Sequence, residues 1–137
     1  MTAKIRRSFL FLAILQTIHS FEEYVFNLWD YLAPARILSA LVSDNLSLGF
    51  AVINLAVVAL IFWSYIFSIR KAGPHAPGVV WFWAILESLN GIGHIGFGIS
   101  SVGYFPGLYT APFLLFVGVF LLLQLTRDQE ATQQKLQ

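Results

Sequence analysis

Four long apolar segments dominate this sequence, at residues 8–29, 48–69, 79–101 and 108–126. Each segment has about the 20 mostly apolar residues that a helix needs to cross a bilayer. Helices suit such continuous runs better than strands, because a helix satisfies its own backbone polar groups inside lipid. The sequence therefore predicts an all-α integral membrane four-helix bundle, surrounded by membrane lipid.

The composition agrees with a membrane protein and excludes other classes. Charged residues make up 11% of the 137 residues and the mean hydropathy is +0.73, whereas average globular chains are about 25% charged. The net charge is +1 without a large basic patch, so we expect no nucleic-acid partner. The chain has no cysteine, which excludes disulfides and thiolate metal sites.

The basic residues predict the topology of the bundle. Positive residues accumulate in the cytoplasmic loops of membrane proteins. With four spans, Arg36 lies on one side of the membrane and the other basic residues on the opposite side: Lys4, Arg6, Arg7, Arg70, Lys71, Arg127 and Lys135. We therefore expect a multi-pass protein, in a bacterial inner membrane, with both termini cytoplasmic. Residues 1–127 form the four-helix domain and residues 128–137 a polar tail.

The connection between the first two segments is long enough to hold structure of its own. Pro34 could open a short helix there, whose apolar side chains would be those of Ile37, Leu38, Leu41 and Val42. Such an amphipathic helix would lie at the membrane interface.

Ionisable and amide side chains interrupt the first and third segments. The first carries His19, Glu22 and Glu23, and the third carries Glu87, Asn90 and His94. Residues three, four and seven apart share a helical face, so each set forms a stripe. Both helices run in the same direction, and His19 and Asn90 each lie about 11 residues into their helix, or roughly 17 Å at 1.5 Å per residue. The two sets therefore meet at one depth.

These groups are too costly to be there without partners. A carboxylate at a helix centre costs about 2.5–3.5 kcal/mol on insertion scales. The glutamates must therefore face one another, a cation or water. In one hypothesis His19, Glu23 and His94 bind a divalent metal, either zinc or iron/manganese. Glu22 or Glu87 would then be a further ligand or a general base, and Asn90 would orient a ligand or a substrate oxygen.

Two other interpretations of the same residues stay open. They could form a metal-free acid–base pocket or proton relay, or they could merely hydrogen-bond the first helix to the third. The preferred function is a metal-dependent membrane enzyme, a hydrolase or an oxidoreductase, acting on a lipid or other apolar small molecule. The alternatives are a small proton-coupled transporter or a structural subunit of a membrane complex. A homo-oligomer is compatible with all of them.

Three short motifs resemble those of the HXXEE-domain family of small multipass membrane proteins. They are His19-Ser-Phe-Glu22-Glu23-Tyr24, Asn90-Gly-Ile-Gly-His94 and Tyr104-Phe-Pro106-Gly107-Leu-Tyr-Thr110. The resemblance implies that His19, Glu22, Glu23, Asn90 and His94 belong to one site. It implies no substrate, since the family has no established activity.

Overall fold

The computed structural model describes residues 1–101 and 103–134, and within these ranges the chain is all-α with no strand. The helices are α1 (Ala3–Val25), α2 (Leu28–Tyr31), α3 (Ala33–Val42), α4 (Leu46–Ser64), α5 (Ala76–Ser100) and α6 (Ala111–Gln134). A π-helical turn, Tyr65–Ile69, continues α4. The end of the predicted polar tail, residues 135–137 with Lys135, lies outside the described residues.

The helix boundaries follow from local chemistry. Thr2 caps α1 by accepting a hydrogen bond from the Ile5 N–H, and Asn45 caps α4 in the same way through Leu48. The first predicted segment does not continue to residue 29 as one helix. Asn27 adopts the left-handed conformation (φ 55°), which asparagine tolerates better than most residues, and the short α2 starts after it.

Two apolar clusters lie above and below the polar stripes along the bundle axis. The larger cluster joins α1, α4, α5 and α6 through side chains such as Phe9, Leu12, Ile61, Val80, Leu114 and Leu121. The smaller cluster lies toward the other end and contains Leu28, Trp29, Ala35, Phe50 and Phe105. In sequence His19 falls between the α1 residues of the first cluster and Leu28 of the second. The polar residues are therefore enclosed between two packed layers.

Helix α6 packs against both α1 and α5. Helices α5 and α6 approach closely at Gly91, where a Cβ atom would lie 2.8 Å from the carbonyl oxygen of Ala111. Small residues allow such close approach of helices in membranes. The contact fixes the height of α5 against the start of α6, and with it the height of His94.

Two helices are long and apolar enough to cross a membrane by length and composition. They are Leu46–Ile69, with 24 residues, and Ala111–Ala131, with 21 residues, counted over the described part of the chain. The other two predicted spans correspond to α1 and α5, which have 23 and 25 residues and carry the ionisable side chains.

The short helix predicted in the first long connection is confirmed as α3. It begins with Pro34 in its first turn and packs on α4 through small buried residues, Ala35 and Ser39. Its large apolar residues point away from the protein, and they are the four that the sequence singled out: Ile37, Leu38, Leu41 and Val42. Leu41 is 78% exposed. An amphipathic helix with its apolar face turned outward is typical of a membrane interface.

Candidate metal centre

Three buried side chains with metal-binding chemistry converge between α1 and α5. Glu23 Oε1 lies 3.3 Å from His19 Nε2 and 3.0 Å from His94 Nε2. The imidazole rings of His19 and His94 pack edge to face with centroids 4.7 Å apart. The three ligand atoms lie within 4.8 Å of one another, so this cluster could hold a metal ion. We call His19, Glu23 and His94 the ligand cluster.

The two distances from Glu23 Oε1 to the histidine Nε2 atoms suit a small coordination sphere. Ligand atoms about 2.1 Å from a tetrahedral ion are about 3.4 Å apart, close to the two separations from Glu23. Helix geometry explains why two of the three side chains meet, because His19 and Glu23 are four residues apart on one face of α1.

A backbone carbonyl determines which ring nitrogen of His94 carries a proton. His94 Nδ1 lies 2.7 Å from the carbonyl oxygen of Pro106. A carbonyl oxygen only accepts hydrogen bonds, so Nδ1 carries the proton and donates it. In a neutral imidazole the lone pair is then on Nε2, the atom that faces Glu23.

Glu22 determines the tautomer of His19 through Thr110. The Glu22 carboxylate accepts hydrogen bonds from the backbone N–H groups of Tyr109 and Thr110, both at 3.0 Å, and from the Tyr104 hydroxyl. It also accepts from the Thr110 hydroxyl at 2.6 Å. Four donors suit an ionised, acceptor-only carboxylate. Because the Thr110 proton is used there, Thr110 Oγ1 accepts from His19 Nδ1, 2.6 Å away.

The consequence is that two imidazole lone pairs and a carboxylate oxygen face one another. His19 Nε2 is fully buried and makes no aligned hydrogen bond to any described residue, in spite of its proximity to Glu23. Hydrogen bonds from Nδ1 to carbonyl, carboxylate or hydroxyl groups orient histidines for metal binding through Nε2. With both histidines neutral, the cluster lacks positive charge at its centre. Either a metal ion or additional protons must supply it.

The segment that connects α5 to α6 covers the ligand cluster. We call residues 103–110 the closing loop. Its Gly107 has φ 88°, and a Cβ atom there would lie 2.5 Å from His94 Nδ1 and 2.8 Å from His19 Cε1. Only glycine fits, both for the positive φ and for the contact with two imidazoles. The closing loop therefore determines the positions of both rings as well as their tautomers.

Glu22 is placed outside the ligand cluster, although the sequence suggested it as a further ligand or a base. Its hydrogen bonds all go to the closing loop among the described residues. It holds the loop against α1 instead of pointing at His94. The pKa of its partner Tyr104 is raised by burial and by the negative charge of the carboxylate.

Glu87 and Asn90 lie on α5 below His94. Glu87 is 1% exposed, and its Oε2 has no hydrogen-bond partner in the described ranges. The Asn90 side chain approaches the Glu87 carboxyl group from one turn further along, and Glu23 is close enough to Glu87 to interact with it electrostatically. Neither residue belongs to the ligand cluster, but Glu87 brings a buried carboxyl oxygen without a described hydrogen-bond partner close to it.

The sequence did not assign roles to the groups of the closing loop that orient the histidines. The Thr110 hydroxyl contacts His19 from 91 residues away in the sequence, and the Tyr104 hydroxyl contacts Glu22, which adjoins the ligand Glu23, from 82 residues away. The Pro106 carbonyl contacts His94 from 12 residues away. The signal available in the sequence was a Pro-Gly turn followed by a threonine shortly after His94.

Comparison with known proteins identifies one family. The family described as "Protein of unknown function with HXXEE motif" matches residues 10–121, which include the ligand cluster, Glu22 and the closing loop. No curated protein and no solved structure matches the chain.

Proposed function

The chain belongs to the HXXEE family, and we propose that it is an integral membrane metalloprotein in which His19, Glu23 and His94 bind one divalent ion. The observation that carries the proposal is that the Nε2 atoms of both histidines are directed at Glu23, while both Nδ1 atoms contact groups of the closing loop. One dication satisfies all three ligand atoms at once.

Protons satisfy the same atoms less well. One proton on His94 would make an ion pair with Glu23 and leave the His19 lone pair facing the carboxylate. A second proton would create two imidazolium rings with centroids 4.7 Å apart in a buried site, where like charges repel strongly. The donor set, two imidazoles and one carboxylate, is the set that catalytic zinc and non-haem iron use.

The membrane location rests on the outer surface of the bundle. Helix α4 with its π-helical turn and α6 are apolar enough to span, and α3 turns its large apolar residues outward. Helix α1 packs against both α4 and α6, and α5 packs against α6. If α4 and α6 cross the bilayer, α1 and α5 cross it with them, since their polar residues face inward. Four spans put both termini on the same side.

Three protein ligands leave a coordination position for water or substrate. This distinguishes catalytic from structural zinc, which is closed by four protein ligands. Glu87 is the base that the arrangement offers, because its Oε2 is buried and unpartnered while Glu22 is fully used by the closing loop. Asn90 would position the Glu87 carboxyl group. We therefore assign a metal-dependent reaction on an apolar substrate, hydrolytic with zinc or oxidative with iron.

Elemental analysis of the detergent-purified protein tests the proposal. We expect one equivalent of divalent metal in the wild type and its loss in His94→Ala. The matched control is His75→Ala, because His75 is exposed in the turn before α5 and far from the ligand cluster in sequence. Metal-free wild type after incubation with zinc, iron and manganese in turn would refute the metal centre and favour a proton relay. Equal metal content in His94→Ala and His75→Ala would refute the ligand assignment.

A further inference from the structure

A groove between α1 and α6 is basic at one end and apolar along the rest of its length. Its volume is about 320 Å³, and its walls include Arg7 and Phe11 of α1 and Phe116 and Phe120 of α6. Lys4, Arg7 and Phe11 are three and four residues apart, so they share one face of α1. Because Lys4 and Arg7 lie in the first two turns of α1, the basic end of the groove lies near the end of the bundle and the apolar part lies deeper.

Phe116 and Phe120 separate this groove from a second one on the other side of α6. Their rings are parallel to within 7°, with centroids 6.2 Å apart, and both also line a groove of about 400 Å³ between α5 and α6. Phe116 is 69% exposed, so the pair projects outward between two grooves with apolar walls. We call Phe116 and Phe120 the ridge. A lipid with two acyl chains can place one chain on either side of it.

The Lys4 ammonium group points along α1 toward the apolar part of the groove. Its Nζ atom lies 5.4 Å from the centre of the Phe120 ring. Gln124 Nε2 lies 3.4 Å from Ser8 Oγ, which places these two residues at one level on antiparallel helices. Lys4 lies about 6 Å from that level on the side of the bundle end, and Phe120 about 6 Å from it on the inner side. A lysine at the end of a membrane helix normally extends outward to water, whereas this one lies against the groove.

The two basic side chains at the groove have no acidic partner in the described part of the chain. Lys4 and Arg7 are both exposed, and neither forms an ion pair with a described residue. The acidic residues of α6, Asp128 and Glu130, lie about 12 and 15 Å beyond the ridge at 1.5 Å per residue, and Asp128 pairs with the Met1 amine. The basic end of the groove therefore carries two positive charges without a counter-charge at its own level.

We propose that the two grooves bind an anionic diacyl phospholipid, with its phosphate group at Lys4 and Arg7 and its acyl chains on either side of the ridge. The proposal rests on the membrane location proposed above and is independent of the metal centre. Charge complementarity selects the headgroup, because basic pockets between spanning helices on the cytoplasmic side bind anionic lipids and a guanidinium group matches a phosphate. The ridge selects a lipid with two chains.

Native mass spectrometry of the full-length protein in detergent tests the proposal by counting bound lipids. The probes are dioleoyl phosphatidylglycerol, which is anionic, and dioleoyl phosphatidylcholine, which has the same chains and no net charge. We expect one molecule of the anionic lipid to bind about 30-fold more tightly than the zwitterionic lipid, because each nearby basic residue contributes about fivefold. Equal affinities for the two lipids would overturn the proposal.

A pair of double variants separates this site from the general positive charge of the same membrane side. Lys4→Gln with Arg7→Gln removes both charges at the groove, so the preference for the anionic lipid should fall to about threefold or less. The matched control is Arg70→Gln with Lys71→Gln. Lys71 also lies over an aromatic ring, 5.5 Å from the centre of Phe67, but neither control residue lines either groove. The control should keep the wild-type preference, and an equal loss in both double variants would refute a local site.

A second pair of variants tests the contact with the acyl chains. Phe116→Ala removes half of the ridge, so both lipids should bind about fivefold more weakly while the preference for the anionic one stays. Phe113→Ala is the control, because Phe113 is also exposed on α6, at 60%, but lines neither groove. Wild-type affinity in Phe116→Ala would contradict the placement of the chains. A dimer of the protein that Phe116→Ala dissociates would assign the ridge to a second copy and overturn the lipid site.

The metal content of the same preparations keeps this proposal apart from the metal centre. Lys4→Gln with Arg7→Gln should lose the lipid preference at unchanged metal content. A wild type that takes up no metal but prefers the anionic lipid would remove the metal centre and support the lipid site. Inorganic phosphate that displaces the lipid at equal concentration would show a simple anion site and overturn the proposal. A protein that stays dissolved without detergent would refute the membrane location and the lipid site together.

Discussion

Replacing Gly107 by alanine tests whether the closing loop positions the two histidines. A non-glycine residue at φ 88° strains the backbone and lowers the free energy of unfolding by about 1–3 kcal/mol. A second cost comes from packing and is specific to the site. The new Cβ would lie 2.5 Å from His94 Nδ1, and since ordinary contacts begin at about 3.5 Å, the ring must move by about 1 Å. Such a movement breaks the hydrogen bond to Pro106, worth about 0.5–1.5 kcal/mol.

The matched control for this substitution is Gly103→Ala in the same loop. Gly103 also has a positive φ (117°), but a Cβ atom there meets nothing within 4 Å. Both variants should therefore lose similar stability from backbone strain in thermal unfolding. Only Gly107→Ala should weaken metal binding, by about 10–100-fold, as loss of a group that orients a ligand usually does. Competition with a fluorescent zinc chelator measures this. Wild-type metal affinity in a folded Gly107→Ala protein would refute our account of the closing loop.

Two further outcomes follow from the proposed metal centre and topology. Chelation should lower the melting temperature by several degrees, because an ion at 100 times its Kd stabilises the fold by about 2.7 kcal/mol; His94→Ala should not respond to the chelator, and a wild type that also does not respond would contradict a bound metal. A reporter that is active only in the periplasm should be inactive when fused to the C-terminus and active when inserted at Ser43, between α3 and α4. The opposite pattern would reverse the topology.

Helical periodicity and membrane depth were enough to predict which residues meet. His19 and Glu23 are one turn apart, and His94 was placed at their level by counting residues from the start of a parallel helix. Both arguments use only the regular rise and rotation of helices. The structure brings these three side chains together.

The same arguments favoured Glu23 over Glu22 as a ligand but could not show what Glu22 contacts. Adjacent residues differ by about 100° around a helix, so the element that Glu22 meets depends on the rotation of α1 within the bundle. The packing of α1 against α4 and α6 sets that rotation, and these contacts are not visible in the sequence of α1. The contacts of the closing loop could not be predicted either, because a loop has no periodicity from which its contacts with His19 or Glu22 could be calculated.

The glycines near His94 show the same limit. Four glycines of α5 lie near His94 in the sequence, at positions 91, 93, 96 and 98, and a glycine in a membrane helix either allows close helix packing or leaves room for a ligand. Gly91 does pack closely, against Ala111 of α6, but a Cβ atom at Gly93 or Gly96 would meet nothing within 4 Å. Residues of one type in one helix face different surroundings, and only the neighbouring elements determine which.

The two adjacent glutamates of the motif have different tasks in this arrangement, and exchanging each for glutamine should separate them. Glu23→Gln replaces a metal ligand by a weak one, so metal binding should be lost while the closing loop keeps its contacts. Glu22→Gln leaves the ligand cluster complete but turns an acceptor of four hydrogen bonds into a poorer one. Metal should still bind, about 10–100-fold more weakly.

The closing loop itself provides the second readout for this pair of variants. Burial and the Glu22 carboxylate raise the pKa of Tyr104, so removal of that charge in Glu22→Gln should lower it, whereas Glu23→Gln should not change it. Ultraviolet titration of the phenols measures this, with Tyr104→Phe identifying the signal. Amide exchange of residues 103–110 should also become faster in Glu22→Gln alone. If both variants lose metal and neither alters the Tyr104 titration, the glutamates act as a common ligand pair, and the division of roles derived from the hydrogen bonds is wrong.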